Sequence, residues 1–412
     1  MLRRLDNPVR KYAWGSRTHI ARMCGLDFGG DKVAEMWLGA HPGAPSVLDD
    51  ARPLHEAIAA DAETFLGADL AARGDRLPYL MKLLAAAEPL SLQVHPTTER
   101  ARRRFAEQDA AGIPISAPER SYQDESHKPE MIYALTRFEG MAGFRDVLKT
   151  AAILRGLGVP WLNEVAARFE QSDDPAATLH ETVTWILAMH GPDLAGRMHE
   201  VQVAAAMAEA SSHRPNPRLR PETVAADEVE RESIRVYAAL GPLIDQYPDD
   251  PGVLVTLLLN HVVLAPGEAM FIDAGVVHAY TSGFGVEIMA SSDNVLRAGL
   301  TPKHVDVDEL LEITAFTPVL PPTIAPAVDE GGLRVFRPPV EEFELAVHEV
   351  GPQPVTLPRA PQIAVCLVGS VDLVTADGKA QLHRGDAVFV DGTESGVEVR
   401  GTGRLAIGRT PT

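Results

Sequence analysis

Gln93 and His95 stand two residues apart in Leu90-Ser91-Leu92-Gln93-Val94-His95-Pro96, a run whose alternation predicts a strand. Side chains at i and i+2 of a strand share a face. Leu90, Leu92 and Val94 then point one way, and Ser91, Gln93 and His95 the other. A face with three polar groups either meets water or builds a site. The chemistry within reach is metal ligation. This strand offers an amide oxygen and an imidazole, His127-Lys128-Pro129-Glu130 offers a carboxylate, and His278 offers a second imidazole. His127 competes with Glu130 for its place. Nitrogen and oxygen donors without sulfur suit zinc, manganese, iron or nickel, and spacing does not choose among them.

A second polar segment, Ser291-Ser292-Asp293-Asn294-Val295-Leu296-Arg297, continues to Thr301-Pro302-Lys303. Alone it reads as a surface loop. Beside a metal site, Arg297 and Lys303 become anion clamps, Arg as a bidentate donor and Lys as a point charge. No Gly-rich phosphate loop accompanies them, which argues against a nucleotide enzyme. His41, His55, His180, His190, His199 and His213 lack such context and read as ordinary surface or core residues.

Composition sets the outer limits. A chain of 412 residues predicts two or three domains. A net charge of −19 argues against nucleic-acid binding but leaves room for a local basic cluster that takes a small anion. No apolar run has the length of a membrane span, and the first residues carry no apolar signal core. Two cysteines, Cys24 and Cys366, supply neither a disulfide framework nor a cysteine zinc site. The cytoplasm is the expected location.

The elements that must position these groups fall into blocks. Residues 1–146 read as mostly β, with strands at Glu35–Gly39 and Met131–Leu135 and a helix over 97–110. From 147 to 250, Ala, Leu and Glu dominate at helical spacing, with a loop at Ser212–Pro221 and helix again from Thr223 to Leu243. Strand patterns resume at about 252. Prolines 318, 321, 322 and 326 mark a boundary before a terminal β domain over 321–412, leaving 1–146 plus 251–320 as one domain. Leu264–Asp273 aligns without gaps to Leu382–Asp391, and His278 then falls on Gly396. The expected fold is mainly β with a helical insertion. It has two jelly-roll barrels, the first metal-binding and the second without the metal histidine. Pro266-Gly267, Phe271-Ile272, Gly275 and His278 resemble the cupin pattern that places an imidazole inside such a barrel.

Several motifs occur together in one order: Tyr12-Ala13-Trp14-Gly15, Glu35-Met36-Trp37-Leu38-Gly39-Ala40-His41-Pro42, Leu80-Met81-Lys82, Pro89 to Pro96, His127 to Met131 and Ser292 to Lys303. The chain thereby resembles the type I mannose-6-phosphate isomerases over nearly its whole length. Glu88 departs from the family pattern at the rim of the site. The resemblance implies one zinc ion held by Gln93, His95, Glu130 and His278, and a phosphorylated hexose as substrate. It implies a catalytic role for Arg297, and Ser91, Lys82, Lys128 and Lys303 around the sugar phosphate. Trp14, Glu35, Tyr280 and Glu287 fall at pocket positions. The implied reaction passes through a cis-enediol, with Glu287 or Lys128 as proton carrier. Asp293 would assist ring opening or orient Arg297. A monomer is expected, with no membrane or nucleic-acid partner. A cupin oxygenase and a non-catalytic sugar-binding cupin are the competing readings. The lysines and the Arg297 segment favour the phosphosugar.

Overall fold

The computed structural model describes residues 1–212, 224–329 and 331–411. Two antiparallel sheets, of 11 and 10 strands, make up most of it. The 11-stranded sheet carries the site. Its central strand, His278–Ala290, pairs on one side with Tyr79–Ala86 and on the other with Glu130–Ala134. Glu35–Gly39 extends the first side and Ala269–Ile272 the second.

Alternation sorts these strands into two faces. Tyr79, Met81, Leu83, Met131, Tyr133, Val286 and Ile288 pack against Phe336, Leu345, Ile363, Val365 and Phe389 of the 10-stranded sheet. The opposite face presents Lys82, Glu130 and Glu287 among Leu84, Ile132 and Ala134. Both faces are covered, so Tyr79–Ala86 is buried along its whole length.

The nearer end of His278–Ala290 leaves this arrangement after a register shift between Tyr280 and Ser282. It then pairs with Phe138–Phe144 and, at His278, with Gln93. The strand around Gln93 is shorter than its sequence pattern predicts, Leu92–Val94 only. Leu92 and Val94 enter the core of the helical block. Leu90 lies outside the strand and packs instead on the cluster around Tyr280, so it does not share their face.

The helical block holds Val147–Leu157, Pro160–Glu170, Pro175–Leu187, Gly191–Ser212 and Val224–Gln246. Asp146 and Asp174 cap two of these helices by accepting backbone N–H bonds, and Pro160 and Pro175 open two of them. Ser212 is helical rather than the start of a loop. The rest of the predicted loop up to Pro221, Thr223 and His213 lie outside the described residues. After the block a short helix, Gly252–Val255, precedes the strand Leu259–Leu264, so β structure resumes a few residues later than its pattern suggests. No helix among the described residues is long and apolar enough to cross a membrane.

The division at 146, 250 and 320 does not separate the sheets. Leu2–Asp6 pairs with Ala387–Val390 in the 10-stranded sheet, while Thr323–Ile324 pairs with Ala269–Met270 in the other. Each crossing segment covers an edge that would otherwise stay unpaired.

Candidate metal centre and substrate site

His95, just after the strand Leu92–Val94, comes together with Glu130 and His278 from two further strands, one donor atom of each lying within 4.8 Å of the others. Asn294 O accepts the Nδ1 proton of His95 at 2.8 Å, and Val276 O accepts that of His278 at 2.9 Å. These bonds leave a lone pair on each Nε2 of the neutral rings. Both lone pairs face one carboxylate: His95 Nε2 is 3.1 Å from Glu130 Oε1, and His278 Nε2 is 3.5 Å from Oε2. Acceptors thus meet acceptors. His95 Nε2 and Glu130 Oε2 are buried without a hydrogen-bond partner. Burial and then the Lys128 charge push His95 down to about 4, so no proton fills the gap near neutrality. Burial opposes the charge of Glu130, but charged surroundings, the Lys128 ammonium first, hold the carboxyl well below its usual range. A cation is what this donor set fits. The Gln93 amide ends 3.3 Å from His278 Nε2, and a half-turn of the amide presents its oxygen there.

Lys128 Nζ lies 2.8 Å from Glu130 Oε1. His127 points elsewhere, to Glu342 at 2.6 Å, and takes no part in the donor group. Further along the same sheet face, Lys82 Nζ is 2.9 Å from Glu287 Oε2 and 3.5 Å from Glu35 Oε1. Glu35 also accepts the Trp37 indole proton at 2.8 Å. Register explains the group, since Lys82 stands directly opposite both Glu287 and Trp37. Burial raises Glu287, reinforced by Glu130 and Glu35 against the pull of Lys82. Burial also opposes the charge of Lys82, yet Glu287 and Glu35 raise it above the usual range. The Tyr280 hydroxyl is buried in this wall without a partner and is raised by burial, then by Glu130 and Glu287.

Arg297 stands opposite Gln93, which stands opposite His278, so the three share one cross-strand row. The Arg297 guanidinium has no ion pair or hydrogen bond among the described residues. Burial lowers it. Lys303 is lowered first by the charge of Arg297 and then by burial. Neither cation has an ion pair among the described residues, and two such groups within electrostatic reach of each other favour an anion. Ser91 is half-buried just before the Gln93 strand. Trp14 stacks on Tyr12 at 5.5 Å and covers the Tyr280 cluster. Glu88 at the rim is matched by Lys32.

Sequence reasoning missed two features. Asn294 is fully buried and its side chain ties down the preceding loop. It accepts from the Gln123 and Asp124 amides and donates to Asp124 O and Ser126 O. Its own carbonyl is the one that fixes His95. Asp293 does not contact Arg297; its partner is His41, 3.3 Å away. The one available signal for His41 was its place four residues after Trp37 in the run Trp37-Leu38-Gly39-Ala40-His41.

Fold and site together define a pocket fitted for a cation and an anion on an antiparallel sheet: two imidazoles, a carboxylate, buried lysine–glutamate pairs and a cationic rim. Residues 2–147 match the family model described as phosphomannose isomerase type I, catalytic domain. The chain is 34% identical to the mannose-6-phosphate isomerase of Escherichia coli (strain K12) and 35% identical to that of Salmonella typhimurium (strain LT2). Each alignment covers 98% of both chains. A crystal structure of the Salmonella typhimurium enzyme bound to fructose 6-phosphate and zinc superposes with a TM-score of 0.84 at 34% identity, over all of both chains. The chain belongs to the mannose-6-phosphate isomerase family.

Proposed function

We propose that this protein is a zinc-dependent isomerase that interconverts mannose 6-phosphate and fructose 6-phosphate. The observation that carries the reading is the pair of lone-pair imidazoles facing Glu130, one of which, His278, shares a cross-strand row with Arg297. His95, Glu130, His278 and the Gln93 oxygen would hold the ion. When bound, zinc supplies a Lewis acid that polarises sugar oxygens.

The remaining work belongs to side chains. Arg297 and Lys303 neutralise the phosphate or the enediolate, with Ser91 as a further donor. Asp293, at the mouth, takes the C1 hydroxyl proton as the ring opens. Glu287 carries the proton between C2 and C1, because burial has already moved its carboxyl toward neutrality. Lys128 donates to the developing oxyanion, Lys82 holds Glu287, and Glu35 holds Lys82. Trp14 and Tyr280 wall off water.

The same reading makes the protein a cytoplasmic monomer built from two cupin barrels, with the metal in the first. It assigns 1–146 plus 251–320 to the catalytic unit, 147–250 to the helical one and 321–412 to the terminal one. The turn shared by 264–273 and 382–391 supports this. A coupled assay for fructose 6-phosphate formation, run with metal analysis, tests the function. Zinc-loaded protein that fails to turn over mannose 6-phosphate would sink it.

A further inference from the structure

His41 is buried, yet its ring ends at an exposed carboxylate. Nδ1 accepts the Gly43 amide proton at 3.1 Å. That bond places the remaining ring proton on Nε2, the atom 3.3 Å from Asp293 Oδ2. The ring packs edge-on against Trp37, with centroids 5.1 Å apart and planes at 86°. Trp37 is held through its indole N–H by Glu35, and Glu35 reaches Lys82. The imidazole is therefore fixed in tautomer, in plane and in position before Asp293 meets it.

Asp293 is held from its other end as well. Its own amide donates to Asp124 Oδ2 at 2.8 Å, and the next residue, Asn294, supplies the carbonyl that fixes His95. The charged groups acting on the carboxylate are His41, Lys128 and Lys82, with Asp124 behind its backbone. All three cationic or donor groups favour the ionised form. The donor at His41 acts most strongly.

We infer that His41 is a positioning residue: its Nε2–H holds the Asp293 carboxylate at the mouth of the site, oriented to accept the C1 hydroxyl proton during ring opening. This rests on the isomerase reading. The proton leaves the sugar hydroxyl for Asp293 and returns to the ring oxygen as the C1–O5 bond breaks, so the step balances without another reactant. His41 itself exchanges nothing.

Two variants test the idea in the zinc-loaded protein. His41→Phe keeps a ring on Trp37 and removes the donor, whereas His41→Gln keeps an N–H at similar reach. For His41→Phe, kcat on mannose 6-phosphate is expected to fall about tenfold, with KM changed by less than about threefold. The acid limb of its pH–rate profile should move to higher pH, because Asp293 loses the donor that favours its charge. His41→Gln should restore most of kcat and the profile. Bound zinc stays at the wild-type level in both. The inference is overturned if His41→Phe keeps the wild-type kcat and acid limb, or if His41→Gln is as impaired as His41→Phe. Wild-type protein without isomerase activity would instead remove the underlying reading.

Discussion

At Ala265 and again at His383, a backbone amide donates to a carboxylate three residues on, 2.8 Å to Glu268 and 2.9 Å to Asp386. Gly267 and Gly385 follow the same left-handed path, with φ of 97° and 93°. The strands that leave these turns, Ala269–Ile272 and Ala387–Val390, match residue for residue. Beyond the turns the two sheets differ in content. Ile272 stands opposite Glu130, while the matching Val390 stands opposite Gln362. Glu287 lies between Ile132 and Lys82, whereas Ile407 lies between Ala364 and Ala346. His278 aligns with Gly396. At these positions the terminal sheet carries Gln362, Ile407 and Ala346 where the site sheet buries Glu130, Glu287 and Lys82; its own buried ion pair, Arg409 with Glu344 at 2.6 Å, lies at other positions. The hydrogen-bonded frame therefore needs none of those charges. On the proposed reading they serve the chemistry, and desolvation makes them costly to the fold.

Copying the terminal sheet into the site sheet probes that contrast. Glu130→Gln, which mimics Gln362, should lower zinc affinity at least about 100-fold, since even indirect partners of a metal site cost up to that much. Activity should vanish with it; equilibrium dialysis and the coupled assay report both. Arg297→Ala should leave the metal in place and reduce kcat/KM by about 100- to 1,000-fold; near-normal turnover would break the assignment.

The pair Lys82→Ala with Glu287→Ile reproduces Ala346 and Ile407. It should abolish turnover yet unfold at the same or higher denaturant concentration, by up to about 4 kcal/mol. A large destabilisation would mean the ion pair supports the fold after all. Gly396→His restores the histidine in sequence alone. With φ at 66°, a side chain there should cost about 1 kcal/mol. Metal content should stay at one ion per chain, because Gln362 stands where the site sheet has the Glu130 carboxylate.

The smallest effect concerns His127 and Glu342. The hydrogen bond to Glu342 raises His127 despite burial. Glu342 is lowered because His127 outweighs its own burial. The raised histidine stabilises below about pH 6.5 and loses this as pH rises through its folded value. The lowered glutamate stabilises above about pH 4.3 and loses this as pH falls. Glu342→Gln should therefore cost under about 1 kcal/mol, mainly between those values; thermal melts across pH would show it.

Much of the donor set was legible because ligands need particular atoms at particular spacing. Gln93 and His95 share a face by strand geometry, and His278 follows a recognisable turn. The repeated turn was legible for the same reason, since glycine and an acid recur at fixed offsets. Partners across the sheet were not. Alternation says that Lys82 and Glu287 face one side of their strands, but register alone sets them opposite each other. Leu2–Asp6 gave no sign that it would pair with Ala387–Val390. Asp293 with His41, and Asn294 with the 120–128 loop, are long-range bonds between polar residues that look like any turn. Leu90 broke the alternation because the strand starts only at Leu92, where the helical block begins to cover it.

The two covered faces of the site sheet bear on the order in which the protein is made. A nascent chain emerges with its first residues leading. Leu2–Asp6 must wait for Ala387–Val390, and the apolar back of Tyr79–Ala86 must wait for Phe389 and Ala406. Until then the wall that holds Lys82 and Glu287 has one face in water. A chain cut short before residue 387 would keep every donor to the metal, yet would expose a broad apolar sheet to any chaperone or to its own kind.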